Sequence, residues 1–402
     1  MRRTLSIIAA GLGICLFCGA DWLQFRGSEN NPVAVGQTLP TTFTDKENVD
    51  WKAPLQGDGV SGPIVVDGRV VVTASSGTVK QDRLHVFCFD AKSGKQRWHR
   101  QFWATGRPFH HETSANAAPT PASDGQRIFA FYSSNDLVCL DLDGNLLWYR
   151  GLGLDYPNAG NDVGMSSSPL VVGETVVVQI ESQGDSFAAG LNTATGETLW
   201  RIPRPNRANW VSPAALRGAN GKNVVLLQSS EGVTALDAKS GEQVWKYDAS
   251  CSGIPSITAT ANRIYVPAGG LTVLDATADS TSPSLAWTNN RLSPGSASPV
   301  IHDGKIYVLP RAGVLTCGDE TTGKVLWQLR LKGTFWATPV IAGGHIYCAN
   351  QDGQCHVIKI TGEKGELVHT AELGEPFYGS AAVADNGLYL RSEKHLWKIA
   401  AP

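Results

Sequence analysis

The chain has 402 residues, of which 42% are hydrophobic and 17% are charged, and this composition is typical of a globular protein rather than a disordered one. The formal net charge is −2 and no basic stripe occurs, which argues against nucleic acid as a partner. Glycine (43 residues) and tryptophan (12 residues) are both frequent, and this favours an all-β protein with many turns.

Residues 1–20, MRRTLSIIAAGLGICLFCGA, have the pattern of a signal peptide. Arg2 and Arg3 form a basic start, an apolar run follows from Leu5 to Phe17, and small residues precede a cleavage site near Ala20. An uncleaved anchor is the alternative, but the apolar run is short for a membrane-spanning helix. We therefore expect a periplasmic or secreted protein with no transmembrane segment in the mature chain.

Residues 21–46 have no strong hydrophobic period. They are predicted to form an ordered N-terminal extension that crosses the domain that follows, with Trp22 and Phe25 as its anchors.

Residues 47–402 are dominated by a repeat of about 40 to 56 residues, the size of a four-stranded blade. Each unit begins with Ser/Gly-Pro, passes through two β-branched runs and ends on tryptophan, as in SGPIVVDGRVVV leading to FDAKSGKQRW. Alignment on the early proline gives Pro63, Pro119, Pro169, Pro213, Pro255, Pro299 and Pro339, with Ala381 in the eighth position.

The first and last segments of the repeat region together supply the four strands of one blade. The last copy supplies three strands, and the segment NVDWKAPL around Trp51 supplies a fourth. The sequence therefore predicts an all-β, eight-bladed β-propeller in which the N-terminal strand completes the C-terminal blade and leaves no open sheet edge. The closing tryptophans should pack between blades. They are Trp51, Trp98, Trp148, Trp200, Trp245, Trp287 and Trp327, and one copy departs near His369.

The pattern A/C-x-D-x-x-[ST]-G-x-x-x-W resembles the tryptophan-docking repeats of pyrroloquinoline-quinone (PQQ) dehydrogenases, and it also resembles the propeller lipoprotein of the outer-membrane barrel assembly machinery. The dehydrogenase resemblance implies a vicinal cysteine pair, a bound calcium ion and an aspartate base. No adjacent cysteines follow residue 20, and calcium ligands cannot be placed residue by residue. We therefore predict a non-catalytic binding or scaffold propeller of the bacterial cell envelope. The alternative is a PQQ-dependent oxidoreductase with a degenerate or novel site.

The six cysteines after residue 20 comprise one group of three, one pair and one single residue. Three occupy a small-residue position of the repeat and are predicted to be inert core thiols, namely Cys88, Cys139 and Cys317. Cys348 and Cys355 flank the turn NQDG and could form a disulfide, whereas Cys251 lies in a loop and could be exposed.

A binding site is expected at the mouth of the central channel. The residues three before each aligned position should line it, and they are Val60, Asn116, Ser166, Trp210, Ser252, Ser296, Trp336 and Tyr378. Trp210, Trp336 and Tyr378 could stack a flat or sugar-like ligand, or they could simply plug the channel.

Two unusually long loops, which lie before Pro119 and Pro169, should build up one side of the same face. The ligand or partner contacts expected there are Arg107, His110, His111, Glu112, Asn116, Asp155, Asn161, Asp162, Arg204 and Arg207. The His-His-Glu run fits a solvated loop better than a metal site. Asp155, Asn161 and Asp162 lack the regular spacing of a calcium loop, and Arg204 and Arg207 could receive a carboxylate or phosphate.

We expect no cofactor and no metal. The alternative is that the protein binds PQQ together with calcium. The expected partners are envelope proteins or a small or glycan ligand. Carbohydrate-active chemistry is a third alternative that depends on Glu181 and Asp185, although solvation of a turn explains these carboxylates better.

Overall fold

The computed structural model describes residues 21–78, 81–160, 163–218 and 220–401, so the predicted signal peptide lies outside the described residues. The described residues form eight sheets arranged as the blades of a propeller, which confirms the predicted fold. The one helix among them is a single turn, Leu152–Asp155. No described helix has the length and apolar character needed to cross a bilayer.

Each blade is an antiparallel sheet whose strands run outward from the central channel. The innermost strands are Ile64–Val66, Ala122–Ser123, Leu170–Val172, Ala214–Arg217, Thr258–Ala259, Val300–His302, Val340–Ala342 and Ala382–Ala384. The second strands are Arg69–Ser76, Arg127–Phe131, Thr175–Ile180, Asn223–Ser229, Arg263–Val266, Lys305–Val308, His345–Ala349 and Gly387–Arg391.

The outer half of each blade faces the neighbouring blade and solvent. The third strands are Arg83–Asp90, Asp136–Asp141, Phe187–Asn192, Gly232–Asp237, Leu271–Asp275, Val314–Asp319, Gln354–Ile360 and His395–Ile399. The outermost strands are Gln96–Trp103, Leu146–Gly151, Thr198–Pro203, Gln243–Asp248, Ser284–Asn289, Val325–Arg330, Gly365–Glu372 and Val49–Pro54.

The ring is closed by its first long strand. Val49–Pro54 pairs antiparallel with His395–Ile399, and Trp51 lies opposite Lys398. This strand completes the eighth blade, as the sequence predicted, and the sheet edge of His395–Ile399 is thereby paired rather than exposed.

The N-terminal extension crosses the lower end of the ring, which is the end opposite the loops that lead into the innermost strands. Its contacts reach all eight blades in turn through the pairs Trp22–Val65, Leu23–Ser123, Gln24–Val171, Glu29–Arg217, Arg26–Thr258, Asn31–Ile301, Val33–Ile341 and Gln37–Asn386. Its strand Val33–Ala34 adds in parallel to the seventh blade. The extension therefore caps the channel from below.

The repeated tryptophan joins each blade to the next. Trp51 donates its indole N–H to the carbonyl of Ala91 at 3.1 Å, and its ring covers the turn glycine Gly94. The aspartate of the same turn accepts N–H bonds from Lys92 and Ser93. Asp90 also forms an ion pair with Arg97. This ion pair, together with the hydrogen bonds from Ser93, holds the pKa of the Asp90 carboxyl well below its ordinary value. The motif is therefore a blade-to-blade joint, as expected for the structural tryptophans.

One joint is built differently, at the position where the repeat departs from its pattern. The outermost strand of the seventh blade carries His369 in place of tryptophan, and His369 Nε2 lies 2.6 Å from the carbonyl oxygen of Phe43. The eighth blade takes its outermost strand from the other end of the chain, so it has no turn glycine on which a tryptophan could dock. The segment that leads into that strand fills the gap instead.

The six cysteines among the described residues are free thiols. Cys88, Cys139 and Cys317 are buried opposite repeat tryptophans, as predicted for core thiols, and burial raises the pKa of each to about 12. Cys251 is half-buried rather than exposed.

The disulfide considered between Cys348 and Cys355 is not formed, and the strand register explains why. Cys348 lies opposite His356, and Cys355 lies opposite Ala349. Since directly opposed residues share a face of the sheet and neighbours along a strand alternate, the two thiols point to opposite faces. They belong to separate hydrophobic clusters on the two sides of the blade.

Candidate functional site

A ring of hydroxyl groups surrounds the upper part of the central channel, immediately before the innermost strands. Each of six backbone N–H groups in the ring donates to the hydroxyl oxygen at the same position of the next blade, at 2.9–3.0 Å, and the residues joined in order are Thr120, Ser168, Ser212, Ser256, Ser298, Thr338 and Ser380. The N–H of Gly62 in the first blade donates to Thr120 in the same way. The innermost strands are thereby held together around the channel, which is called here the hydroxyl ring.

The first blade interrupts the hydroxyl ring because it has Gly62 at the equivalent position. A β-carbon there would lie 2.4 Å from the carbonyl oxygen of Ser380, a separation that no side chain tolerates. Close approach of the first and eighth blades therefore requires glycine at this point of the ring.

The hydroxyl ring corrects the sequence alignment in two blades. Thr120 and Ser256 follow Pro119 and Pro255, whereas the equivalent residues of the other blades precede the aligned position, so these two prolines are two residues out of register. The channel mouth is consequently lined by Ala118 and Ile254 rather than by the predicted Asn116 and Ser252. Asn116 is fully buried and uses its side chain to bind the loop residues Gln81 and Ser134.

The other six predicted mouth residues line one cavity of about 490 Å³ above the hydroxyl ring, which is called here the funnel. Trp336 and Tyr378 meet edge to face with ring centroids 6.2 Å apart. Trp210 stands on the other side and donates its indole N–H to the carbonyl of Gly164 at 2.8 Å. All three rings line the cavity.

Arg311 is a funnel residue that the sequence analysis missed. It lies in the turn between the second and third strands of the sixth blade, and its guanidinium carbon is 5.2 Å from the ring centroid of Trp336. A turn arginine carries no sequence signal that would distinguish it from a solvated surface residue. The hydroxyl ring had a signal, because Ser or Thr recurs next to the aligned proline.

The two long loops pack against each other and form one wall of the funnel. The N–H of His111 donates to the carbonyl of Val163 at 3.1 Å, and Gly164 lies close to the backbone of Phe109 and His110. His111 and Val163 line the funnel, so both loops contribute to its wall.

The remaining charged candidates lie outside the funnel. Arg107, Glu112 and Arg207 are exposed around it, and His110 is half-buried with its Nδ1 2.9 Å from the carbonyl oxygen of His111. Asp155 forms an ion pair with Arg150 at 2.8 Å. Asn161 and Asp162, the other two members of that predicted group, lie outside the described residues.

Arg204 and Glu181 were both expected at the surface, and both are buried. Arg204 Nε lies 2.7 Å from Glu181 Oε1, and Arg204 also donates to the hydroxyl oxygen of Thr234. Glu181 accepts further bonds from Gln179 and Asn209. This network closes the space between the third and fourth blades, so Arg204 cannot receive an external anion and Glu181 cannot serve sugar chemistry.

The lower end of the funnel is closed by the N-terminal extension. Phe25 lines the cavity, and the next residue, Arg26, donates from its guanidinium to Thr258 Oγ1 at 2.8 Å and to the carbonyl of Ile257 at 2.7 Å. Arg26 is fully buried, and desolvation lowers its pKa to about 9. Phe25 and Arg26 of the extension therefore cover the lower end of the funnel.

The residues of the funnel do not fit a calcium-bound quinone. Calcium takes oxygen ligands that normally include carboxylates, and among the described residues that line the cavity none is an aspartate or a glutamate. The part of the chain that the structure describes also contains no cluster of three His, Cys, Asp or Glu side chains placed to hold a metal ion. We therefore assign no reaction in the funnel to a calcium-bound quinone.

Comparison with known proteins gives a family match across most of the chain. The family described as outer membrane protein assembly factor BamB matches residues 27–185, 118–256 and 267–393. The protein of that name from Burkholderia pseudomallei is 28% identical, and the match spans 60% of this chain and 60% of that relative's length. The tetrathionate hydrolase of Acidithiobacillus ferrooxidans is 24% identical over 96% of this chain and 80% of its own.

Two solved structures have the same fold. BamB from Moraxella catarrhalis superposes with a TM-score of 0.63 at 16% identity, covering 87% of this chain and 96% of that one. The quinohemoprotein alcohol dehydrogenase of Comamonas testosteroni superposes with a TM-score of 0.70 at 12% identity, covering 95% and 81%. At these identities the superpositions establish a shared propeller and do not establish a shared activity.

Proposed function

Because the chain belongs to the family described as outer membrane protein assembly factor BamB, we propose that it is a non-catalytic scaffold of the bacterial cell envelope that holds a protein partner on its upper face. The partner class follows from the family description, and it is a component of outer-membrane protein assembly. The absence of carboxylates among the described funnel residues supports binding over catalysis.

The observation that carries the proposal is an exposed apolar shoulder above the first two blades. It consists of Trp103, which is 58% exposed, and Leu154, which is 67% exposed. The segments that carry them touch, since a β-carbon on Gly106 would lie 3.2 Å from the Cα of Gly153. Large apolar side chains left in water on two segments that touch are typical of an interaction surface.

The surroundings of the shoulder also suit protein recognition. The guanidinium carbon of Arg83 lies 5.1 Å from the ring centroid of Trp103, and the hydroxyl of Tyr149 donates to the carbonyl of Trp103 at 2.9 Å. Tryptophan, tyrosine and arginine are the residue types enriched at the energetic centres of protein interfaces. We propose that Trp103 enters an apolar pocket of the partner while Arg83 meets an acidic group beside it.

Site-specific photocrosslinking in the source bacterium tests this proposal. A photoreactive amino acid at position 103 should give a discrete adduct with an outer-membrane assembly component, identified by mass spectrometry. The Leu154→Ala variant should lower the yield of that adduct at position 103.

The matched control places the same photoreactive residue at position 326, because Leu326 is an exposed leucine on the outermost strand of the sixth blade. Equal adducts at positions 103 and 326, or a yield that Leu154→Ala does not change, would contradict recognition at the shoulder.

A further inference from the structure

We propose that the funnel binds an organic anion, namely a carboxylate or sulfonate group carried on a flat apolar body. This goes beyond the proposed function, since it concerns the inner cavity rather than the shoulder above the first two blades. The inference depends on what the lining can donate, what it can accept and how its apolar surface is distributed.

The hydroxyl ring is a circle of hydrogen-bond donors. Each of its seven oxygens already accepts a backbone N–H from the preceding blade. Of these seven hydroxyls, none donates to another described residue, so the proton of each remains available. All seven residues line the funnel. An acceptor that reaches the hydroxyl ring would therefore find hydroxyl protons that no described residue accepts.

Two further groups in the lining favour negative charge. Arg311 lies at the rim and has no carboxylate partner among the described residues. The indole N–H of Trp336 is buried and has no hydrogen-bond acceptor in the described part of the chain. A buried donor without a partner is costly, and an acceptor from a ligand would remove that cost.

No negative charge opposes these donors. The described lining contains one arginine and one histidine, Arg311 and His111, and no aspartate or glutamate. Charge-assisted hydrogen bonds from a guanidinium and hydroxyl groups to a carboxylate are stronger than bonds between neutral groups. The electrostatic balance of the cavity therefore selects an anion over a cation or a neutral molecule.

The walls select the rest of the ligand. Trp210, Trp336 and Tyr378 present ring surface, while Val60 and Ile254 add aliphatic surface between them. A cavity of about 490 Å³ is within the range of small-molecule sites. An aromatic or other flat body would pack on these rings while its anionic group reaches the hydroxyl ring or Arg311.

The same chemistry could come from two sources, either a free small acid or an acidic side chain next to an aromatic one on a peptide. Isothermal titration calorimetry on the purified protein distinguishes them. The free probe is phenylacetate, with phenylacetamide as its neutral counterpart. The peptide probe is the blocked dipeptide acetyl-Phe-Glu-amide, with acetyl-Phe-Gln-amide as its neutral counterpart.

We expect at least one anionic probe to bind with one-to-one stoichiometry and at least about tenfold more tightly than its neutral counterpart, as charge-assisted bonds imply. Arg311→Gln should remove most of that preference, and Trp336→Phe should weaken binding while keeping the ring. Arg207→Gln is the control, because Arg207 is an exposed arginine of the same face that does not line the funnel.

Binding of phenylacetate alone would assign the funnel to a free acid, and binding of the dipeptide alone would assign it to a peptide. Equal affinity for the charged and neutral probes would overturn the proposal, as would a charge preference that persists in Arg311→Gln or disappears in Arg207→Gln.

Discussion

Arg204 Nε lies 2.7 Å from Glu181 Oε1, and both side chains are almost completely shielded from solvent between the third and fourth blades. Each partner compensates the charge of the other, and the side-chain amides of Gln179 and Asn209 donate to Oε1 and Oε2 of the carboxylate respectively. The pair is therefore part of the internal joint between two blades, and it is most sensitive to removal of one partner alone.

Glu181→Gln should lower the free energy of unfolding by about 3 to 5 kcal/mol, because it leaves the guanidinium of Arg204 buried without a counter-charge. Chemical denaturation monitored by tryptophan fluorescence measures the change. Glu366→Gln removes one partner of the exposed pair Lys364–Glu366 and should cost less than about 1 kcal/mol. Similar losses in the two variants would show that the burial of Glu181 does not matter.

The contact between Trp51 and Gly94 should be detectable with two matched alanine substitutions. Gly94 and Gly304 both have a φ of 68°, but a β-carbon at Gly94 would lie 2.5 Å from the indole of Trp51, whereas Gly304 faces open space. Both changes incur the backbone strain of a left-handed conformation. Gly94→Ala should therefore unfold at lower denaturant and cost about 1 to 3 kcal/mol more than Gly304→Ala. Equal losses would mean that the tryptophan moves aside freely.

The stability of the protein should fall between pH 6.5 and about 4 through His85. Burial, the neighbouring His99 and Arg83 lower the pKa of His85 to about 4. His85 Nδ1 lies 2.9 Å from His99 Nε2, and His85 Nε2 lies 2.7 Å from the hydroxyl of Ser76. Below pH 6.5 the unfolded chain binds a proton that the folded chain does not, so the stability contribution is present at neutral pH and is lost as the pH falls.

Thermal unfolding measured across this pH range checks the prediction. His85→Gln should flatten the pH dependence, whereas His345→Gln, at a half-buried histidine of the seventh blade, should leave it as in the unaltered protein. An unchanged pH dependence in His85→Gln would assign the effect to other groups.

Reducing agent should not change the melting temperature of the protein, because Cys348 and Cys355 point to opposite faces of their sheet. Differential scanning calorimetry with and without a thiol reductant measures this directly. The double variant Cys348→Ala, Cys355→Ala should be less stable, through lost packing alone, to the same extent under both conditions. A fall in melting temperature on reduction that the double variant abolishes would show that the two sulfurs are bonded after all.

Titration with pyrroloquinoline quinone should not produce calcium-dependent quenching of tryptophan fluorescence, because the described lining offers no carboxylate ligand for calcium. The same titration in Trp210→Ala and Trp336→Ala separates binding in the funnel from binding elsewhere. Saturable quenching that requires calcium and weakens in either variant would revive the quinone-dependent alternative.

The fold could be predicted from the sequence because a pattern of blade length recurs along residues 47–402. The Asp-x-x-x-Gly turn and the tryptophan that follows have a fixed spacing, and the orphan strand around Trp51 identifies the closure. The aromatic residues of the funnel could be found for the same reason, since each occupies a fixed position in its blade.

The parts that could not be predicted depend on contacts between blades. Arg204 and Asp155 both lie in polar segments of the sequence. Arg204 is buried against Glu181, whereas Asp155 is paired at the surface with Arg150. Asn116 looked like a mouth residue because Pro119 precedes Thr120, and only the hydrogen bond between the Thr120 N–H and Ser168 shows the true register. Such differences are set by the neighbouring blade rather than by local sequence.

The position of the closing strand also constrains how the molecule can be made. Trp51 and Lys398 lie opposite each other, although almost the whole repeat region separates them along the chain. The N-terminal extension contacts all eight blades, so it cannot make all of these contacts until every blade has formed. The nascent chain therefore remains an open arc with an unpaired edge until the eighth blade has been synthesised, and loss of the strand His395–Ile399 would leave the closing strand Val49–Pro54 without its partner.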